Sequence, residues 1–152
     1  MDLEATVQLL RDKDEIRETL LRYASTIDVK DWDGLRSVFT EDAVVTLVDE
    51  QPKRGVDEIV GYIQHRTRRR LWQHHLLSVY HIDVRGDEAE ALTYHTSHQT
   101  SEGKPDTVLV LVCRYHDRLR RDAGGWRISE KLMRLGWHEE RPRRSGGDLM
   151  EP

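Results

Sequence analysis

From His74 to Trp137 the chain reads as four strand-like runs joined by short polar turns, and nothing else in it limits the fold as tightly. His74 to Val84 is the first run and closes on Arg85-Gly86-Asp87. Glu88 to about Thr100 follows, then a loop over 101–106. Thr107 to Leu119 is the longest run, and Asp122-Ala123-Gly124-Gly125 turns the chain into the stretch from Trp126 to Trp137. Runs rich in β-branched and aromatic residues between Gly, Asp and Pro clusters are strand and hairpin signals. A meander built this way has one sheet face to bury, so the rest of the chain must supply its cover.

The first seventy residues supply it. Leu9, Leu10, Ile16, Leu20, Tyr23 and Ile27 recur at three- and four-residue steps and predict an amphipathic helix from about Leu3 to Ile27. A short second helix follows, capped by Asp31, with Trp32, Leu35, Val38 and Phe39 on its apolar face. Ala43 to Val48 reads as a strand, and Gln51-Pro52-Lys53-Arg54-Gly55 as a turn or hairpin tip. Val56, Ile59, Val60, Tyr62 and Ile63 restore the helical period. Asp57 and Glu58 open that helix and Arg66, Arg68, Arg69 and Arg70 gather at its end, both favourable to the helix dipole. The order predicts an α+β cone, a strongly curved mixed sheet wrapped around three N-terminal helices and enclosing a cavity. Residues 1–138 form the expected domain, and 139–152, rich in Arg, Gly and Pro, the expected flexible tail.

A chain of 152 residues suits one domain and one core. The lone cysteine, Cys113, rules out an intrachain disulfide, and its apolar run predicts a buried, inert thiol. Net charge is 24 − 28 = −4, which gives no general attraction to nucleic acid. No apolar run approaches the ~20 residues of a membrane span, and the polar N-terminus carries no signal-peptide pattern. The expectation is a soluble, cytoplasmic protein with neither nucleic acid nor membrane as partner.

Strand alternation assigns side chains to faces. Counting back from Ile82 and Val84 by twos reaches Tyr80, Ser78, Leu76 and His74, so His74 is expected on the apolar face and His75 on the other; a bulge would break this register. In the next strand Ala89, Ala91, Thr93, His95 and Ser97 point inward, which places His98 outside. In the long strand Leu109, Leu111, Cys113 and Tyr115 share a face. Val108, Val110 and Val112 leave the opposite face partly apolar, which predicts a subunit interface and a homodimer or homotrimer.

Two positions carry the expected chemistry. Asp28, at the end of the first helix, opens Asp28-Val29-Lys30-Asp31-Trp32-Asp33-Gly34-Leu35-Arg36, and His74 begins the meander. A carboxylate accepting from one ring nitrogen fixes the imidazole tautomer and leaves the other nitrogen to take a proton. His95 or His98 would then serve a developing oxyanion or leaving group. Tyr23, Ile27, Tyr80, Leu111 and Tyr115 are the expected substrate-contacting residues. The bland alternative makes Asp28 a helix-end acid and His74 a satisfied core histidine. Neither His74-His75 nor His95-x-x-His98 places two ligands on one strand face, so no metal is expected. Phosphate-loop, dinucleotide and serine-nucleophile motifs are absent.

The Asp28–Arg36 stretch resembles the SnoaL-like branch of the NTF2-like superfamily. Phe39-Thr40-Glu41-Asp42-Ala43, Gln73-His74-His75, Arg85-Gly86-Asp87-Glu88-Ala89 and Gly125-Trp126-Arg127-Ile128 agree in the same order, over roughly residues 10–137. The resemblance implies the same α+β cone and activity without a cofactor. Its members include polyketide cyclases, scytalone dehydratase, steroid isomerase-like enzymes and a dehydrochlorinase, beside non-catalytic proteins. Scytalone dehydratase and the dehydrochlorinase are the most similar at polar positions, their acid and histidine mapping to Asp28 and His74, with a further dehydratase histidine near His95 or His98. A dehydratase tyrosine is Ile27 here, and its strand asparagine has no match between Val110 and Arg118. The function expected is a cofactor-independent lyase or isomerase acting on a small apolar cyclic metabolite. The alternative is a non-catalytic small-molecule binder or assembly subunit of the same fold.

Overall fold

The structure, a computed structural model, describes residues 2–143. Helix α1 spans Leu3–Val29, and the side chain of Asp2 caps it by accepting from the Ala5 amide at 2.8 Å. It buries Ile16, Leu20, Tyr23 and Ile27 of the stripe its periodicity predicts, while Leu10, in the same predicted stripe, is exposed. It stops at Lys30, which takes the left-handed conformation (φ 58°), while the Asp31 amide reaches back to the Thr26 carbonyl at 2.8 Å. Asp31 then caps α2 (Trp32–Ser37) through the Gly34 amide at 2.9 Å. A Cβ at Gly34 would fall 2.2 Å from the Asp31 carboxylate and 2.9 Å from the Thr26 methyl, so glycine allows this close turn.

Strand β1 (Phe39–Thr46), the short β2 (Pro52–Arg54) and helix α3 (Val56–Thr67) follow. The meander is β3 (Arg70–Arg85), β4 (Glu88–Ser101), β5 (Lys104–Asp122) and β6 (Gly125–Pro142). The predicted turn over Gln51–Gly55 therefore contains a strand, and β3 begins four residues before His74. The expected tail is corrected at its start: residues 139–142 are the end of β6, paired with β5. Residues 144–152 lie outside the described part of the chain.

The strands form one mixed sheet in the order β2-β1-β6-β5-β4-β3. Among the described residues only the β1–β6 pairing is parallel. Strands of this length stay in one sheet by bending, and extra residues mark the bends. Val79 pairs with Thr93 and His81 with Leu92, which leaves Tyr80 without an opposite number. Leu71 is inserted likewise in β3, and Ser129 and Gly136 in β6. The result is the α+β cone, its concave face closed by the three helices over Ile16, Leu20, Leu35, Ile59, Ala91, Leu119 and Ile128.

Two sets of contacts fix α1 against the sheet. Along its middle, Asp12 pairs with Arg121 at 2.5 Å and accepts from the Trp126 indole at 3.1 Å, while Thr19 donates to the Trp126 carbonyl at 2.9 Å. At its end, Gln73 donates its side-chain amide to the Ile27 carbonyl at 2.7 Å, and the Lys30 ammonium donates to the Arg70 carbonyl at 3.1 Å. These satisfy a helix terminus and an edge strand together, since among the described residues β3 has no strand neighbour on its outer side. No helix among the described residues is long and apolar enough to cross a membrane.

Candidate active site

The end of α1 carries Asp28 to the free edge of β3. One Asp28 oxygen accepts from the His75 backbone amide at 3.0 Å and the other meets His75 Nδ1 at 2.5 Å. The acid–imidazole contact exists, but the partner is His75 and the expected Asp28–His74 pairing is corrected. Tyr80 is the cause. As the extra residue in β3 it reverses the alternation, so Gln73, His75, Leu77 and Val79 face inward before it and Ile82 and Val84 after it. His74 lies on the opposite face, stacked on His98 with ring centroids 4.9 Å apart. Tyr80 is also corrected: it is exposed and stacks on Tyr94 at 4.2 Å, away from the site.

His75 in turn stacks on His95, centroids 4.9 Å apart, and His95 on Tyr115 at 5.0 Å. Strand alternation places His95 inward and His98 outward, and the two histidines occupy those faces. His95 Nδ1 contacts Cys113 Sγ at 2.6 Å, and His95 Nε2 is buried with no partner among the described residues. Burial, aided by the neighbouring His75 and Lys131, pushes the His95 pKa down to about 3, so its ring is neutral. Burial pushes the Cys113 thiol up to about 12. A neutral imidazole beside a protonated thiol can donate one hydrogen bond and accept another.

Beneath these rings lies a charged pair that sequence reasoning did not single out. Lys131 Nζ is 2.7 Å from Asp117 Oδ1, both side chains fully buried. The ammonium also faces the rings of Tyr115 at 4.1 Å and Tyr23 at 4.4 Å. Burial raises the Asp117 pKa and lowers that of Lys131, each held back by the charge of the other. Burial likewise pushes Tyr23 and Tyr115 well above the usual phenol range, so both keep their protons.

A cavity of about 400 Å³ opens onto this column of rings. Tyr23, Ile27, Leu111 and Tyr115, all expected there, line it together with His75 and His95. Met133 and Leu135 extend the apolar wall, and Arg66, Arg70, His138 and Glu140 stand among its lining residues. Apolar walls converging on a few polar groups are the usual make-up of a small-molecule site. His75 was not singled out from sequence, because the extra residue at Tyr80 that sets its face exists only in the pairing of β3 with β4. In the sequence Arg66 and Arg70 stand within an arginine cluster that closes a helix.

Residues 8–131 match the model of the SnoaL-like domain, and the chain belongs to that family. An uncharacterised protein of Mycobacterium tuberculosis is 28% identical over 131 residues, covering 84% of this chain and 87% of its own length. An NTF2-like protein with a cystatin-like fold from Novosphingobium aromaticivorans is 27% identical, with a TM-score of 0.72 and 88% of each chain covered. The hexachlorocyclohexane dehydrochlorinase of Novosphingobium barchaimii shares the fold at 15% identity, with a TM-score of 0.80 over 97% of this chain and 99% of its own.

Proposed function

We propose that the protein is a cofactor-independent lyase or isomerase that moves a proton on a small, mostly apolar cyclic molecule. The observation that carries this reading is the Asp28–His75 contact at 2.5 Å on the wall of an open, largely apolar cavity. With its Nδ1 proton donated to Asp28, His75 keeps a lone pair on Nε2 and acts as general base. Asp28 holds the ring through Nδ1 and the His75 backbone through its amide, and stabilises the imidazolium formed when the proton arrives. His95, neutral and stacked directly on His75, serves the developing oxyanion or the leaving group through Nε2. Abstraction next to a carbonyl, followed by elimination, double-bond migration or ring closure, fits this set. The dehydrochlorinase and dehydratase names among structures of the same fold are consistent with that class.

The protein is also read as a homodimer or homotrimer joined through the outer sheet face. Trp72, Leu76, Tyr80 and Trp137 are all more than half exposed. Contiguous apolar surface of this kind is unfavourable in water.

The reaction class is tested by incubating the protein with a panel of cyclic ketones and β-hydroxy ketones in heavy water and following α-carbon deuteration by NMR. Wild type is expected to accelerate exchange on members that fit the cavity, and His75→Gln to abolish it. Exchange no faster than buffer across the panel, or equally fast in the variant, sinks the reading.

A further inference from the structure

The cavity lining includes two guanidinium groups that no carboxylate among the described residues compensates. Arg66 projects from the last turn of α3, and Arg70 is the first residue of β3. Both line the cavity that His75 and His95 face. Neither forms an ion pair with any described residue, although sixteen such pairs occur among them. The neighbouring charges are already matched. Arg69 pairs with Glu102 at 3.2 Å. Both oxygens of Glu140, the acid in the same lining, are taken by Lys104 at 2.9 and 2.7 Å. Arg68 donates instead to the His65 carbonyl at 2.6 Å. Arg70 donates to the Ser101 hydroxyl, a neutral partner.

Such an arrangement is unfavourable as it stands. Arg70 is half-buried, and its guanidinium pKa is lowered by that burial and by the like charge of Arg66. An anion between the two would relieve both effects.

We propose that the ligand carries a carboxylate, which Arg66 and Arg70 bind while its ring system fills the apolar cavity toward His75. The proposal rests on the cavity being the ligand site and narrows the substrate class to an amphipathic organic acid. Spacing sets the scale of the molecule. His75 lies five residues beyond Arg70 on β3, roughly 16 Å of strand at about 3.3 Å per residue, from which the reach of the arginine must be subtracted. A molecule of one or two rings, with the acid at one end and the reacting carbon at the other, spans what remains. Arginine suits the task because its planar fork matches a carboxylate.

The test is calorimetric titration at low ionic strength with naphthoate, the neutral naphthylmethanol and naphthyl phosphate. Wild type is expected to bind naphthoate more tightly than the alcohol by at least roughly tenfold, the size of a charge-assisted hydrogen bond. Arg66→Gln and Arg70→Gln should each erase that preference while leaving the affinity for the alcohol unchanged. Arg66 is exposed, so its variant reports even if Arg70→Gln fails to fold. His75→Gln should keep the preference, which separates failure of the proton-transfer reading from failure of this one. Equal affinities for acid and alcohol, no binding of naphthoate, or a preference that survives Arg66→Gln overturns the proposal. Tighter, arginine-dependent binding of naphthyl phosphate overturns the carboxylate assignment.

Discussion

His75 and His95 lie face to face, 4.9 Å between centroids and 13° from parallel, yet among the described residues only His75 has a carboxylate partner. Two imidazoles in one stack are thereby made unlike. One meets Asp28 through Nδ1, and the other is kept neutral by burial. Divergent environments for neighbouring titratable groups are how a single site obtains distinct acid–base roles.

The first prediction separates the two adjacent histidines of β3. His75→Ala and Asp28→Ala should each lower turnover by about 10²–10⁴-fold, the usual contribution of a positioned base. His74→Ala, on the opposite face, should leave turnover within about twofold, a change far smaller than that contribution. Steady-state kinetics on any substrate identified by deuterium exchange decides it, and a His74→Ala enzyme as impaired as His75→Ala would contradict the assignment.

A second prediction concerns acid. His95 has a folded-state pKa near about 3, below its ordinary 6.5, because burial disfavours the charged ring. As pH falls below 6.5 the unfolded chain takes up a proton that the folded chain refuses, so His95's contribution to stability is complete above that pH and lost below it. The slope is about 1.4 kcal/mol per pH unit, or about 2 kcal/mol between pH 6.5 and 5. Urea unfolding at those two pH values should show wild type losing that much more than His95→Gln. Equal losses would mean that the folded protein protonates His95 readily.

The buried Lys131–Asp117 pair gives a third. Lys131→Ala leaves a carboxylate in the core without its cation and should cost about 3–5 kcal/mol in urea unfolding. Replacing both, as Asp117→Leu with Lys131→Met, should restore most of the loss. Equal destabilisation by the single and double variants would show that the ammonium–ring contacts with Tyr23 and Tyr115, rather than the ion pair, carry the stabilisation.

The outer sheet face supplies the fourth. Sedimentation velocity should show a homodimer or homotrimer, and Trp137→Glu or Leu76→Glu, both on exposed outward-facing residues, should shift it to monomer. A wild-type protein that is monomeric at every concentration would refute an interface there.

Much of this architecture was legible in the chain. Local periodicity over Ile16, Leu20, Tyr23 and Ile27 defines the buried stripe of α1, because a helix repeats its environment every 3.6 residues whatever lies nearby. Alternation through Ala89, Ala91, Thr93, His95 and Ser97 likewise assigns β4 its inner face, since no extra residue interrupts its pairing with β5 over that stretch. Asp28 could be placed at a helix end, and Cys113 in the core, on the same local grounds.

Which histidine meets Asp28 was decided elsewhere. Counting by twos fails at Tyr80, and the chain gives no local sign of it: an extra residue is defined only relative to the partner strand, here by Thr93 and Leu92 accepting Val79 and His81 as consecutive pairs. Parity is a property of one strand, whereas register belongs to two. The pairing of Lys131 with Asp117 and the meeting of Arg66 and Arg70 at one cavity have the same origin, since each joins residues from different elements that the curved sheet brings together.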